Sequence, residues 1–76
     1  MKLNEIKRNL NRKVIHRSTD GNSEYILRGV YLRKHQKTGE YYYTAELQDL
    51  NTRSLLYCGL EKVEEANNET GNKSRV

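Results

Sequence analysis

A chain of 76 residues with a net charge of +4, 34% apolar and 32% charged side chains is long enough for one small domain, burying about 60% of the surface its unfolded form exposes. Its single cysteine, Cys58, excludes an intramolecular disulfide framework and points to a cytoplasmic protein. The start Met1-Lys2-Leu3-Asn4-Glu5-Ile6-Lys7-Arg8 offers no apolar run suited to a signal peptide or a membrane span, so no membrane partner is expected.

Leu3, Ile6 and Leu10 recur at the spacing of one helical face, which predicts a short amphipathic helix over residues 3–11. A helix of so few turns is unstable alone, so its apolar stripe must dock on the remainder of the fold. Lys7, Arg8 and Arg12 either line the solvated side of this lid or reach for phosphates.

The β-branched run in Lys13-Val14-Ile15-His16-Arg17-Ser18 predicts a first strand over 13–18, closed by the turn formers Thr19-Asp20-Gly21-Asn22. A long second strand over 24–34 follows, in which Gly29 breaks the alternation. One extra residue there places Leu27, Val30 and Leu32 on a common inner face, so a bulge is expected at Gly29.

Gln36-Lys37-Thr38-Gly39 suits a hairpin loop with Gly39 in the left-handed region. With His35 opposite Glu40, Leu32 faces Tyr43 and Val30 faces Ala45 inside, while Arg33 faces Tyr42 and Tyr31 faces Thr44 outside. A third strand over 40–50 and a fourth over 54–60 then flank a turn at Asn51-Thr52-Arg53-Ser54. That register sets Leu47 opposite Cys58, Ala45 opposite Leu60 and Gln48 opposite Tyr57. Glu61-Lys62-Val63-Glu64 forms a fifth strand or a helical turn that lets Val63 close the core.

The resulting fold class is mainly β: a small SH3-like barrel, closed or half-closed, built from an antiparallel meander of four to five strands behind an N-terminal helix. It occupies residues 1–66 as a single domain. Residues 67–76 have no apolar side chain except Val76 and read as a flexible polar tail. Tyr41, Tyr42 and Tyr43 hold half of the six tyrosines in a chain without Phe or Trp; alternation assigns Tyr43 to the core, Tyr41 to the rim and Tyr42 to the outside.

The helix followed by five strands resembles the architecture of Sm-like RNA-binding proteins, including the Hfq type with its polar tail. Their Asp and Asn pattern is missing from Leu32-Arg33-Lys34-His35 and from Thr44-Ala45-Glu46-Leu47, so the resemblance implies no RNA-contact residue. A second resemblance rests on Glu24-Tyr25-Ile26-Leu27, Gly29, Leu32-Arg33-Lys34, Gly39, Tyr41-Tyr42-Tyr43, Ala45-Glu46-Leu47 and Leu60-Glu61-Lys62-Val63-Glu64. Over roughly residues 13–65 the chain is similar to small uncharacterised proteins of Gram-positive phages and conjugative elements, which implies a mobile-element setting and no particular activity.

No catalytic spacing is present. Cys58 with His16 or His35 makes a nucleophile and base only if the fold joins them, and a core-facing thiol is inert. Two histidines and one cysteine far apart lack zinc spacing, and Glu61, Glu64 and Glu65 read as a solvated face. A non-enzymatic protein without cofactor or metal is the expectation.

Charge is uneven: residues 1–45 hold ten Lys or Arg against four Asp or Glu, whereas residues 46–76 hold four against six. A basic first half suits nucleic acid or an acidic protein surface, with ordinary solubility charge as the plain alternative. The binding face expected on the sheet exterior comprises Arg28, Tyr31, Arg33, Lys34, Tyr42 and Tyr57. Rings stack on bases and cations meet phosphates, which favours single-stranded over duplex nucleic acid. The alternative is an interaction or inhibitor module for a protein partner, because Tyr and Arg are also hot-spot residues and Glu46 sits within the patch.

Overall fold

In the computed structural model, which describes residues 1–66, every strand hydrogen-bonds antiparallel to its neighbours. After helix α1 (Leu3–Asn9) come β1 (Lys13–Ser18), β2 (Gly21–Lys34), β3 (Tyr41–Asp49), β4 (Leu55–Gly59), a 3-10 turn (Leu60–Lys62) and β5 (Val63–Glu65). The expected tail at 67–76 lies outside the described residues.

The first hairpin is tighter than its turn formers suggest. Ser18 pairs with Gly21, so only Thr19 and Asp20 form the loop. The Ser18 hydroxyl donates to the Gly21 carbonyl at 2.8 Å, and Gly21 takes a φ of 120°. Because the turn uses two residues, β2 begins at Gly21 instead of Glu24.

The second hairpin follows the sequence register. Leu32 pairs with Tyr43, Arg33 with Tyr42 and Val30 with Ala45, and Gly39 closes the loop at a φ of 77°. The register shifts between Leu27 and Gly29, leaving Arg28 as the extra residue of a bulge. Leu27, Val30 and Leu32 thereby stay on one face.

The third hairpin slips by two residues from the sequence register. Ala45 pairs with Cys58, Leu47 with Leu56 and Glu46 with Tyr57. Asp49 sets this loop: its carboxylate accepts from the Asn51 and Thr52 amides at 2.7 and 2.9 Å, and Arg53 turns with a φ of 65°. A shift of two exchanges neighbours without exchanging faces, so the inner and outer sets survive it.

The sheet order is β4-β3-β2-β1-β5. The 3-10 turn carries the chain from β4 to the far side of β1, where Val14 pairs with Glu65 and His16 with Val63. The expected barrel is therefore corrected to a five-stranded open sheet: β4 and β5 stand at opposite ends of the order and do not pair with each other. Val14, Leu27, Ala45, Leu47, Leu60 and Val63 form the buried core, with Ile6, Tyr25, Val30, Leu56 and Cys58 packed against it. Burial of Val63 meets the sequence expectation.

The helix differs from its expected stripe. Ile6 packs on the core, but Leu3 and Leu10 are exposed. Leu10 terminates α1 in an extended conformation, which removes it from the helical face that contains Ile6. Asn9 is buried instead; its amide donates to the Glu5 carbonyl and to the Glu65 carboxylate, each at 2.7 Å.

Candidate nucleic-acid interface

Strand length decides where the surface lies. β1 pairs with β2 only as far as Lys13 opposite Ile26, and β4 reaches β3 only as far as Gly59 opposite Thr44. Beyond these points β2 and β3 have only each other as strand neighbours among the described residues. They project as a two-stranded arm with both faces in solvent: all residues from Tyr31 to Tyr43 are exposed.

On the outer face, Arg33 lies across from Tyr42 and Tyr31 across from Thr44. The Tyr31 hydroxyl donates to the Glu46 carboxylate at 2.7 Å. That bond, followed by the nearby Glu46 charge, holds the Tyr31 phenol above its usual pKa. Tyr57 pairs with Glu46 from the β4 side, so two exposed rings flank one carboxylate. Arg28 belongs to the opposite end of this face, in a depression shared with Ile26, Gln48 and Arg53.

At the tip, Arg33, Lys34, His35, Lys37 and Tyr42 line an open groove. The His35 and Tyr42 rings meet edge to face at 6.4 Å. Four of the six expected residues, Tyr31, Arg33, Tyr42 and Tyr57, thus form a continuous outer surface. Lys34 is corrected to the inner face, because it pairs with Tyr41 two positions from the Leu32–Tyr43 pair. Its ammonium lies 5.9 Å from the Tyr41 ring centre.

The inner face also corrects the reading of the tyrosine triplet. Tyr43 stands opposite Leu32 as expected, yet Tyr43 is 37% and Leu32 56% exposed, and Tyr41 is 65% exposed. The core ends at Val30 and Ala45 because neither β1, β4 nor α1 extends beneath the arm. The signal was present in the sequence as unequal strand lengths: two long strands flanked by two short ones leave a remainder without a cover.

The remaining candidates are dispersed. Cys58 is half-buried opposite Ala45, and burial, reinforced by the Glu61 charge, pushes its thiol up. His16 packs edge-on against Tyr25 at 5.9 Å, while His35 is at the arm tip. Glu64 pairs with Arg17, Glu65 with Arg8 and Asn9, and Glu61 folds over Gly59. Among the described residues, no group of three or more His, Cys, Asp or Glu is placed to hold a metal ion. No helix among them is long and apolar enough to cross a membrane. Comparison of the chain with protein-family models, curated proteins and solved structures finds no match in any of the three.

Proposed function

We propose that this protein is a non-enzymatic binding module that contacts nucleic acid through the outer face of the β2–β3 arm. The observation that supports this most directly is the pairing of Arg33 with Tyr42 on a ribbon that projects past the core. The arm places a cation and a ring side by side with both free of other strands. Rings accept bases by stacking, and Arg33 on that face with Lys37 in the loop supplies positive charge for phosphates, against Glu40 alone among residues 33–43. An accessory role in a mobile element is part of this proposal only through the resemblance of residues 13–65 read from the sequence. The bulge in the long strand β2 and the sheet order β4-β3-β2-β1-β5 support reading the fold as an SH3-like arrangement left open between β4 and β5.

Glu46 favours a second reading. Its carboxylate lies between Tyr31 and Tyr57, an arrangement better suited to a protein partner than to a polyanion. Anisotropy with fluorescently labelled DNA and RNA, titrated at rising salt, separates the two. Nucleic-acid binding weakens steeply with salt, and Arg33→Ala lowers the logarithmic slope by about 0.7 if the arginine meets one phosphate of a single strand. Absence of binding at low salt to single or double strands would refute the first reading.

A further inference from the structure

We infer that the arm binds single-stranded nucleic acid on both of its faces, with Tyr41 and Tyr43 forming a second stacking surface behind the Arg33–Tyr42 face. The inference rests on the nucleic-acid reading above and names the class of strand. Tyr41, Tyr43 and Leu32 are large apolar groups on one exposed face, with no element of the described chain beneath them. A surface of this kind beside cations is matched by a ligand that combines flat apolar rings with negative charge.

The strand spacing suits that ligand. Side chains two positions apart on the same face are separated by about 6.8 Å along a strand. That distance is twice the stacking separation of about 3.4 Å between bases in one strand, so the backbone spacing of Tyr41 and Tyr43 leaves room for one base between two rings. Lys34, opposite Tyr41, holds its ammonium over one face of that ring, 5.9 Å from its centre; it leaves the other face for a base and is placed for the adjoining phosphate. Tyr42 offers the third ring on the other face, and Lys37 in the loop lines the tip groove together with Arg33, Lys34 and Tyr42. A duplex has its base faces already stacked internally and cannot use rings on both sides of a ribbon; a flexible single strand can pass over the tip and place successive bases on each side.

The test uses labelled oligothymidine and a duplex of equal length, measured by anisotropy at low salt with the full chain and with Tyr41→Ala, Tyr43→Ala and Tyr42→Ala. Circular dichroism confirms that each exposed-site variant remains folded. The single strand is expected to bind more tightly than the duplex, and each substitution to weaken it between about 5-fold and 150-fold, the range for loss of one base–ring stack. Wild-type affinity of Tyr41→Ala and Tyr43→Ala, alongside weakened Tyr42→Ala, overturns the two-face inference and leaves the outer-face reading standing. Duplex binding as tight as single-strand binding also overturns it. Failure of the unmodified protein to bind either probe removes both readings together.

Discussion

Asn9 and Glu65, 56 residues apart in the chain, are joined by a 2.7 Å hydrogen bond that ties the end of helix α1 to the last strand. Arg8 donates to the same carboxylate oxygen from its Nε at 2.7 Å. The helix is therefore held by a polar clasp as well as by Ile6, since Leu3 and Leu10 stay partly exposed and outside the core cluster.

The clasp has a pH signature. The Arg8 hydrogen bond, then the Asn9 bond, holds the Glu65 carboxyl below its usual pKa. A depressed folded pKa stabilises the protein above the unfolded value, and that stability is lost as pH falls through the folded value. Glu65→Gln is expected to lower the melting temperature at neutral pH, and the difference from wild type should shrink in acid. A constant difference across the acid range would show that Glu65 acts through packing instead of charge.

Asp49 is expected to show the same sign in the β3–β4 loop. Hydrogen bonds from the Thr52 and Asn51 amides hold its carboxyl below the usual value, so its contribution is present near neutrality and fades as pH falls through the lowered value. Asp49→Ala should lower the melting temperature, and Asp49→Asn, which retains a side-chain acceptor, should recover part of the loss.

Core and arm leucines should respond differently. Leu27 is fully buried, and Leu27→Ala is expected to cost about 2–5 kcal/mol, a large part of the stability of a domain this small. Leu32 shares its strand but projects from the arm, and Leu32→Ala should change stability by no more than about 0.5 kcal/mol. Urea denaturation measures both. Comparable losses at the two positions would contradict an uncovered arm.

Gly29 tests the bulge. A Cβ added there would lie 3.1 Å from the Tyr31 hydroxyl oxygen, so a larger side chain must displace that ring and its bond to Glu46. Gly29→Val is expected to cost about 1 kcal/mol. Tyr31→Phe, which keeps the ring and removes the hydroxyl, should separate loss of the hydrogen bond from displacement of the ring. Equal stability of Gly29→Val and wild type would remove the steric role assigned to this glycine.

Local chemistry made much of this fold legible. The break in alternation at Gly29 located the bulge, and Gly39 fixed a loop whose register pairs Leu32 with Tyr43 and Arg33 with Tyr42. These features depend on neighbours within one hairpin, where turn geometry and side-chain alternation suffice. The β3–β4 loop was less legible, because Asp49 captures two amides and moves the closing pair. Face assignment still survived, since a slip of two preserves alternation.

The sequence by itself determined the meander, the faces of its strands and the placement of Tyr42 beside Arg33, all consequences of period-two alternation and short turns. Only the tertiary structure decided how far the core extends. Whether Leu32, Tyr41 and Tyr43 are covered depends on the reach of β1, β4 and α1, and none of them lies beneath the arm. Likewise, burial of Asn9 required Glu65 from the opposite end of the described chain. An inward-facing register is a local property, whereas burial is a property of what other segments bring to that face.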